Sequence, residues 1–332
     1  LTNNVPSSIH AFPACYRRAA LVSDTDSTMF TLQYWVEQAF GKVVFTPDAR
    51  RLSFGLIFLV SEMVMHILAI QSANMGVSKE KLRILAMKNE YFFEVLALTN
   101  RAKHYFASQD ALEGVMFSEY RLERKGVGLR DSKVPPVINK KAEKLMIRII
   151  ETIKNEQLLD VKEILKEIAD TEREITSSIL EGKATYLTSG QVKNPSSYKS
   201  EEDNATYKKH LQWNEVFGPS FGMADEPPYS FVKLNMNLGN RTSIEQWLTT
   251  IDDKHLVQRV KVWMMREDIK AINTLHIPRS IVEAYGIPKP IIQAADTRST
   301  VFNTMGSFYL IMESLNIFMV DKNNLKLFSD FY

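Results

Sequence analysis

The chain has 332 residues, of which 45% are hydrophobic and 24% are charged, with a formal net charge of +2 at pH 7. This length allows about two domains of roughly 100–200 residues each and a sizeable buried core. The small net charge means that any basic surface must be local, and the single cysteine excludes an intrachain disulfide. The six histidines are scattered, so the sequence contains no Cys/His cluster with zinc spacing.

The first 100 residues are predicted to form a β-hairpin followed by two helices. Residues 18–23 and 27–34 are rich in strand-forming residues around a short polar turn. Residues 48–74 contain the apolar run "FGLIFLVSEMVMHILAI", which is short for a membrane span and includes Glu62 and His66. We therefore expect a deeply buried helix and no membrane contact. A second helix is predicted over residues 79–98.

The rest of the chain is predicted to be mainly helical after one strand at residues 101–108. The pair Pro135–Pro136 marks a domain boundary. Residues 188–230 are rich in loop-forming residues, and the spacing of Ser243 and Gln246 predicts a helix start. Gly286 is expected to end a helical stretch. The predicted helices occupy residues 137–157, 160–180, 253–285 and 297–315, so the predicted fold class is α+β and mostly helical.

The predicted hairpin carries two aspartates, Asp24 and Asp26, at its tip. Residues i and i+2 of an extended strand point to the same face, so both carboxylates can project together. Hard oxygen ligands suit Mg²⁺, which takes one or two protein carboxylates together with substrate phosphates. The alternative is an exposed turn whose Asp and Ser side chains bond their own backbone.

The segment "SDTDS" in a hairpin resembles the Y-x-D-T-D-S motif of family B DNA polymerases, the polymerase α-like group. Further matches follow in the same order as in that family. "LAMKNEYFFEVLALTNRAKHYFA" resembles the long palm helix and the K-K-x-Y strand, and "RKGVGLRDSKVPPVINKKAEKLM" resembles the passage into the thumb. The end "LKLFSDFY" is similar to the sliding-clamp peptide of tailed-phage replicative polymerases.

The resemblance implies roles for individual residues. Asp26 matches the ligand that binds both divalent ions together with an aspartate of another motif, and Asp24 matches a supporting acid, so both are assigned to the catalytic Mg²⁺ site. Lys103 and Tyr105 match the residues that hold the primer–template duplex. The sequence departs from the family pattern at three positions: Val22, Ala102 and His104.

Two motifs of the family, D-x-x-S-L-Y-P in the palm and K-x-x-x-N-S-x-Y-G in the fingers, are missing from these 332 residues. The chain therefore resembles the C-terminal part of a DNA-directed DNA polymerase and is expected to be inactive alone. The implied organisation is the end of the palm at residues 1–115, a connection at 116–136, a helical thumb at 137–324 and a clamp-binding tail at 325–332. The second metal aspartate would come from an N-terminal polymerase chain.

Residues 121–148 form a basic segment with nine Lys and Arg residues against three acids, a local balance of +6. Such a segment is expected to bind the phosphate backbone of DNA. The alternative is a solvated helix face. The residues assigned to DNA contact here are Lys125, Arg130 and Lys133. Residues 160–175 are acidic, so that face is expected to point away from DNA.

The C-terminal tail ends in apolar residues that suit the pocket of a partner protein. We expect residues 325–332 to be flexible and to bind a sliding clamp. The alternative is that the tail packs on its own thumb. The residues assigned to clamp binding are Leu327, Phe328, Phe331 and Tyr332.

The leading functional prediction is a C-terminal fragment or subunit of a replicative polymerase that acts in the cytoplasm on primer–template DNA and dNTP. A D-x-D also binds metal and nucleotide sugar in glycosyltransferases, but only 23 residues precede Asp24, too few for their nucleotide-binding half. The other alternative is a non-catalytic module that binds DNA or a clamp and derives from a polymerase.

Overall fold

A computed structural model describes residues 19–23, 27–99, 101, 103–126, 134–198, 205–317 and 326–332. Helices predominate and the sheets are small, which confirms the predicted α+β class. The chain divides into two compact units. The first contains residues 1–96 and 107–123, and the second contains residues 97–106 and 124–332. The predicted palm, connection and thumb boundaries remain predictions.

The first unit contains the predicted hairpin, followed by helices and most of a three-stranded sheet. Its elements are β1 (Ala20–Ser23), β2 (Thr28–Phe30), α1 (Gln33–Phe40), α2 (Pro47–Asn74), β3 (Tyr91–Leu98), β4 (Tyr105–Leu112) and β5 (Val115–Lys125). Strands β1 and β2 pair with each other in a separate sheet, and the second sheet has the order β3-β4-β5. Among the described strands, the hairpin therefore does not pair with the strand that contains residues 105–107, and the expectation that it lies beside that strand remains a prediction.

Helix α2 matches the predicted helix at residues 48–74, but the prediction that it is deeply buried is wrong. The Thr46 hydroxyl caps its first turn by accepting the Ala49 N–H at 3.3 Å. Only three of its residues are buried, and Phe58 is 62% exposed. Among its contacts within the described part of its own unit, Phe54 packs on Phe92 with ring centroids 4.9 Å apart.

By length and composition alone, α2 is also the one helix among the described residues that could cross a membrane. Only 6% of its most apolar window is buried. The core helix of a soluble protein meets the same criteria of length and composition. Absence of membrane contact therefore remains a prediction.

The helix predicted at residues 79–98 is wrong. A short 3-10 turn covers Lys79–Lys81, and the aromatic segment that follows forms strand β3. Aromatic residues at period two fit a strand, and the rings of Tyr91 and Phe93 stack with centroids 5.8 Å apart. The apolar residues of "YFFEVLAL" fit both the helical period of 3.6 residues and the strand period of two. Pairing with β4 decides in favour of the strand.

Buried polar groups in this sheet form hydrogen bonds with one another. The Asp110 carboxylate accepts the Glu94 N–H at 3.0 Å and the Ser108 hydroxyl at 2.7 Å. The nearly buried carboxylate of Glu94 pairs with Arg50 on α2, and this hydrogen bond raises the pKa of the Arg50 guanidinium. Because an unpaired buried charge is costly, this ion pair anchors the start of α2 on β3.

The second unit contains two long helices, a second three-stranded sheet and several shorter helices. Its helices are α3 (Pro136–Lys154), α4 (Val161–Leu180), α5 (Ala205–Gln212), α6 (Gly218–Phe221), α7 (Arg241–Thr249), α8 (Lys254–Arg266), α9 (Arg279–Tyr285), α10 (Lys289–Gln293), α11 (Thr297–Thr304) and α12 (Gly306–Ser314). Its sheet, of order β6-β7-β8, is formed by β6 (Ser189–Val192), β7 (Tyr229–Leu238) and β8 (Ile272–Pro278), paired antiparallel.

Helices α3 and α4 confirm the predictions at residues 137–157 and 160–180. Their apolar residues recur at helical spacing and are buried, for example Ala142, Ile149, Ile168 and Ile175. Helix α7 starts two residues before the predicted Ser243, because Asn240 caps it and Ser243 is the third residue of the capping box. The observed start of α7 therefore differs from the predicted start by two residues.

The sheet β6-β7-β8 was not predicted, and the continuous helix expected over residues 253–285 is wrong. Helix α8 ends at Arg266, Asp268 adopts a left-handed conformation with φ 46°, and β8 follows. Pairing with β7 buries Leu275 and Ile277. The stability gained from this cross-strand packing outweighs the weak local sequence pattern of these residues. Gly286 ends α9 with φ 77°, as predicted. The helix expected at 297–315 breaks at Met305 into α11 and α12.

The C-terminal tail packs on its own unit, so the expectation of a free tail is wrong for the described residues 326–332. Leu327 and Phe328 are buried, and Phe328 lies 6.3 Å from the Tyr309 ring on α12. The carboxylate of Asp330 accepts two hydrogen bonds from Arg298 at 2.7 and 2.8 Å. Phe331 remains 70% exposed.

We predict that the two phenylalanines of the tail differ in their contribution to stability. Phe328→Ala leaves a cavity beside Tyr309 and should lower the free energy of unfolding by about 3 kcal/mol. Phe331→Ala is the matched control and should change it by less than about 0.5 kcal/mol, because that ring is already in solvent. Urea unfolding followed by circular dichroism measures both. Equal effects would contradict the docked tail.

We also predict that the Asp330–Arg298 pair stabilises the tail in a pH-dependent way. The pair lowers the pKa of Asp330, so its contribution is present above the ordinary aspartate pKa of about 3.9 and is lost as pH falls through the folded-state value. Asp330→Asn should cost about 1 kcal/mol or less at pH 7, since both groups are partly exposed. The cost should vanish in acid and in an Arg298→Ala background. A cost independent of pH would exclude the pair as its source.

Candidate nucleic-acid interface

The hairpin brings the two ends of the aspartate segment together. Ser23 pairs with Thr28 in the antiparallel register, and their hydroxyl oxygens lie 3.1 Å apart. The Thr31 N–H donates to the Ala19 carbonyl at 2.8 Å and closes the open end of the hairpin. Asp24 and Asp26 belong to the four residues that join the strands and lie outside the described residues. Their catalytic role remains a prediction.

Oxygen donors dominate the connection between β1 and β2. Its sequence, "DTDS", offers two carboxylates and two hydroxyls and no nitrogen or sulfur ligand, a donor set that fits Mg²⁺. Elsewhere in the described part of the chain, no group of three His, Cys, Asp or Glu side chains could hold a metal. The donor set of the connection is thus the one that we assign to such an ion.

Lys103 lies in a tight turn just before β4. The Thr99 N–H donates to the His104 carbonyl at 3.0 Å, and Lys103 itself adopts φ 61°. The His104 ring packs against Gly126, where an added Cβ would lie 2.7 Å from its Cγ. Lys103 is exposed, as a DNA contact requires, whereas the side chain of Tyr105 is only 6% exposed. A direct contact between Tyr105 and DNA would need this segment to open, and its role remains a prediction.

Three cations of the basic segment are paired with acids of the same unit. Arg124 pairs with Glu143, and the Lys141 ammonium lies 2.7 Å from Glu174 on α4. The hydrogen bond from Lys141 lowers the pKa of Glu174. The guanidinium of Arg148 binds the Glu167 carboxylate at 2.5 Å. These acids belong in part to the face expected to point away from DNA, so the local balance of +6 overstates the charge available to a phosphate backbone.

The exposed cations of the basic segment form a smaller set. Lys140 and Lys144 are one helical turn apart on α3, both exposed, and neither makes an ion pair with another described residue. Lys125 is exposed at the end of β5. Arg121 lies over the Phe117 ring, with its guanidinium carbon 4.1 Å from the centroid. The other two assigned DNA contacts, Arg130 and Lys133, lie outside the described residues.

The tail helps to bury one carboxylate of the acidic segment at residues 160–175. Glu172 on α4 is fully buried and accepts the Tyr309 hydroxyl at 2.8 Å and the Ser329 N–H at 2.7 Å. Sequence reasoning placed Glu172 in the acidic outer face. Its partners lie 137 and 157 residues away, so no local pattern reveals them. Of the residues assigned to clamp binding, only Phe331 and Tyr332 are exposed, and that role remains a prediction.

Comparison with known proteins identifies the family. The sequence model of divergent family B DNA polymerases matches residues 1–332, the full length given. A search of curated proteins found no match. Family B polymerases bind DNA and dNTP and use Mg²⁺ to transfer nucleotides. The chain belongs to the divergent family B DNA polymerases.

Proposed function

We propose that this chain supplies the end of the palm and the thumb of a replicative DNA-directed DNA polymerase. The observation that carries the proposal is the antiparallel pairing of Ser23 with Thr28, which flanks the "DTDS" connection in a member of this family. In two-metal phosphoryl transfer, carboxylates clamp two ions about 4 Å apart. When bound, the ions activate the primer 3′-hydroxyl and neutralise charge on the triphosphate and leaving pyrophosphate.

The residues of this chain have separate tasks in the proposed reaction. Asp26 holds the ions together with an aspartate from a further polypeptide segment, and Asp24 supports the primer end. Lys103 neutralises a backbone phosphate near that end. The reaction takes place in the cytoplasm, and the chain alone is inactive because the second aspartate and the fingers are missing from its sequence.

The proposed contact with the duplex backbone involves Lys125 and the two exposed lysines of α3. Because Lys141 and Arg148 are already paired with acids, they contribute less to DNA affinity than their charge implies. Phosphate neutralisation releases counterions, so affinity falls with salt in proportion to the number of cations engaged. This contact carries no sequence information, which suits an enzyme that copies any template.

We predict that Lys140→Ala and Lys144→Ala each flatten the log–log salt dependence of primer–template affinity by about 0.9. The matched control is Lys166→Ala, which removes one exposed lysine from α4, outside the proposed contact. It should leave the slope unchanged. Fluorescence anisotropy at several salt concentrations measures all three variants. If the control flattens the slope equally, the affinity reflects net charge and no defined contact.

We predict that Asp26→Asn abolishes primer extension. The full chain, combined with a polypeptide that supplies the missing palm aspartate and fingers, should extend a primer with Mg²⁺ and dNTP. Asp26→Asn should lower the rate at least about 10³-fold, because electrostatic stabilisation of this kind is usually the largest catalytic term. Asp48→Asn, an exposed aspartate at the start of α2, is the matched control and should remain active.

Primer–template affinity measured on the same variants separates the two candidate functions. Intact binding with no extension by Asp26→Asn would support the catalytic proposal. Binding without extension by the wild-type mixture would favour the non-catalytic DNA-binding module. Extension by the isolated wild-type chain would contradict the proposed division of the active site.

A further inference from the structure

The sheet β6-β7-β8 presents two chemically different faces. Alternate residues of β7 point to opposite sides, and Val232, Leu234 and Met236 are buried in the core. The opposite side carries Phe231 and Lys233. Helix α5 packs on this sheet against β6 and β8. Its residue His210 contacts Tyr229 of β7, with 2.8 Å between the imidazole Nδ1 and the phenol oxygen.

Lys233 and His276 lie directly opposite each other on β7 and β8. In such a pair the Cβ atoms are about 4.5–5.5 Å apart and the side chains share a face of the sheet. The imidazole of His276 stacks on Phe231, with centroids 4.3 Å apart and an interplanar angle of 12°. Phe231 in turn fills the space beside Gly190, where an added Cβ would lie 2.5 Å from the ring. The imidazole is thus held in one orientation beside a lysine.

Helix α5 brings a second lysine to this region. The ammonium of Lys209 donates to the Gln212 side-chain oxygen at 2.9 Å. Lys209 is partly buried, and burial lowers its pKa. Among the described residues, it makes no ion pair with a carboxylate. Its hydrogen-bond partner in the described part of the chain is a neutral amide, and a partly buried cation in such surroundings is stabilised by an anion.

Two further polar groups in this region lack hydrogen-bond partners in the described part of the chain. They are the Nε2 of Gln212 and the Nδ1 of His276, both of which are buried. Burial, together with the smaller effects of the Lys233 and Lys209 charges, lowers the pKa of His276 to about 4. The imidazole is therefore neutral at pH 7, when one of its nitrogens carries a proton and can donate. The region has several hydrogen-bond donors, and the structure shows no ion pair between Lys209 or Lys233 and an acid among residues 19–23, 27–99, 101, 103–126, 134–198, 205–317 and 326–332.

We propose that this cluster binds one phosphate group. It comprises Lys209, Gln212, Lys233 and His276, and we name it the lysine–histidine cluster. A phosphate offers several strong acceptor oxygens and the negative charge that the two lysines lack. The phosphate is either free inorganic phosphate or a DNA phosphodiester. The cluster lies on different elements from the exposed lysines of α3, so this site is additional to the proposed duplex contact.

Nuclear magnetic resonance tests the proposal through the imidazole signals of His276 in the full chain. Inorganic phosphate at constant ionic strength should shift these signals saturably, whereas chloride should not. Lys209→Met should weaken phosphate affinity at least about tenfold, because it removes a charge-assisted donor. Lys208→Met is the matched control on the exposed side of α5 and should bind as the wild type does. No saturable shift, or equal binding by Lys209→Met, overturns the proposal.

Thermal unfolding provides an independent readout. Phosphate should raise the melting temperature of the wild type and of Lys208→Met, but not that of Lys209→Met. Without phosphate, Lys209→Met should melt no lower than the wild type, because it removes a partly buried charge with no acid partner. If Lys209→Met does not fold, the same titration of Lys233→Met decides, and unchanged affinity in that variant overturns the proposal.

A third titration identifies the source of the phosphate. A short DNA duplex that shifts the His276 signals and is displaced by inorganic phosphate indicates a phosphodiester ligand. A response to inorganic phosphate alone indicates a free ligand. A duplex that shifts these signals without competition from phosphate overturns the proposed site, because both ligands must use the same donors.

Discussion

The buried carboxylate of Glu172 is the constraint on which the second unit depends. Removing a carboxylate from water costs several kcal/mol unless donors replace the solvent. Here the donors come from the Tyr309 hydroxyl on α12 and the Ser329 N–H in the tail. Burial, together with the charge and hydrogen bond of Glu172, raises the pKa of Tyr309, so the phenol stays protonated and donates. Helix α4, helix α12 and the chain end must therefore meet at one point.

The position of α4 in turn decides which cations of α3 are exposed. With Glu172 facing the tail, Glu167 and Glu174 face α3 and pair with Arg148 and Lys141. Lys140 and Lys144 remain on the solvent side. Of the described cations on α3, these two lysines thus remain available to solvent without an acid partner among the described residues. Such a pair is suited to following one phosphate backbone.

The elements predicted correctly are those whose local signals agree with their tertiary contacts. Helices α3 and α4 have a regular apolar period that coincides with their buried face, and Gly286 adopts the positive φ that ends a helix. Strands β3 and β8 were missed because their short apolar runs fit either periodicity, and only pairing with β4 and β7 decides between them. The exposure of α2 was missed because an apolar sequence does not specify how much of it neighbouring elements cover.

The candidate site was predictable to the extent that it is local in sequence. The two aspartates assigned to metal binding are two residues apart in the sequence, so a short motif suffices to propose them. The ion pairs that neutralise cations of the basic segment join residues up to 33 positions apart. The hydrogen bonds that join the tail to Arg298 and Glu172 span 32 and 157 positions. The lysine–histidine cluster joins α5, β7 and β8, and the sequence predicted none of these three elements. Contacts of this range depend on packing that one sequence does not reveal.

The central claim is that the hairpin connection holds a catalytic divalent ion, and paramagnetic broadening tests it most directly. Mn²⁺ added to the isotope-labelled chain should broaden the amide signals of Ser23 and Thr28, and excess Mg²⁺ should reverse the effect. Asp26→Asn should abolish the broadening, while Asp48→Asn should preserve it. Equal broadening in wild type and Asp26→Asn would contradict the claim, because the ion would then bind without the carboxylate assigned to it.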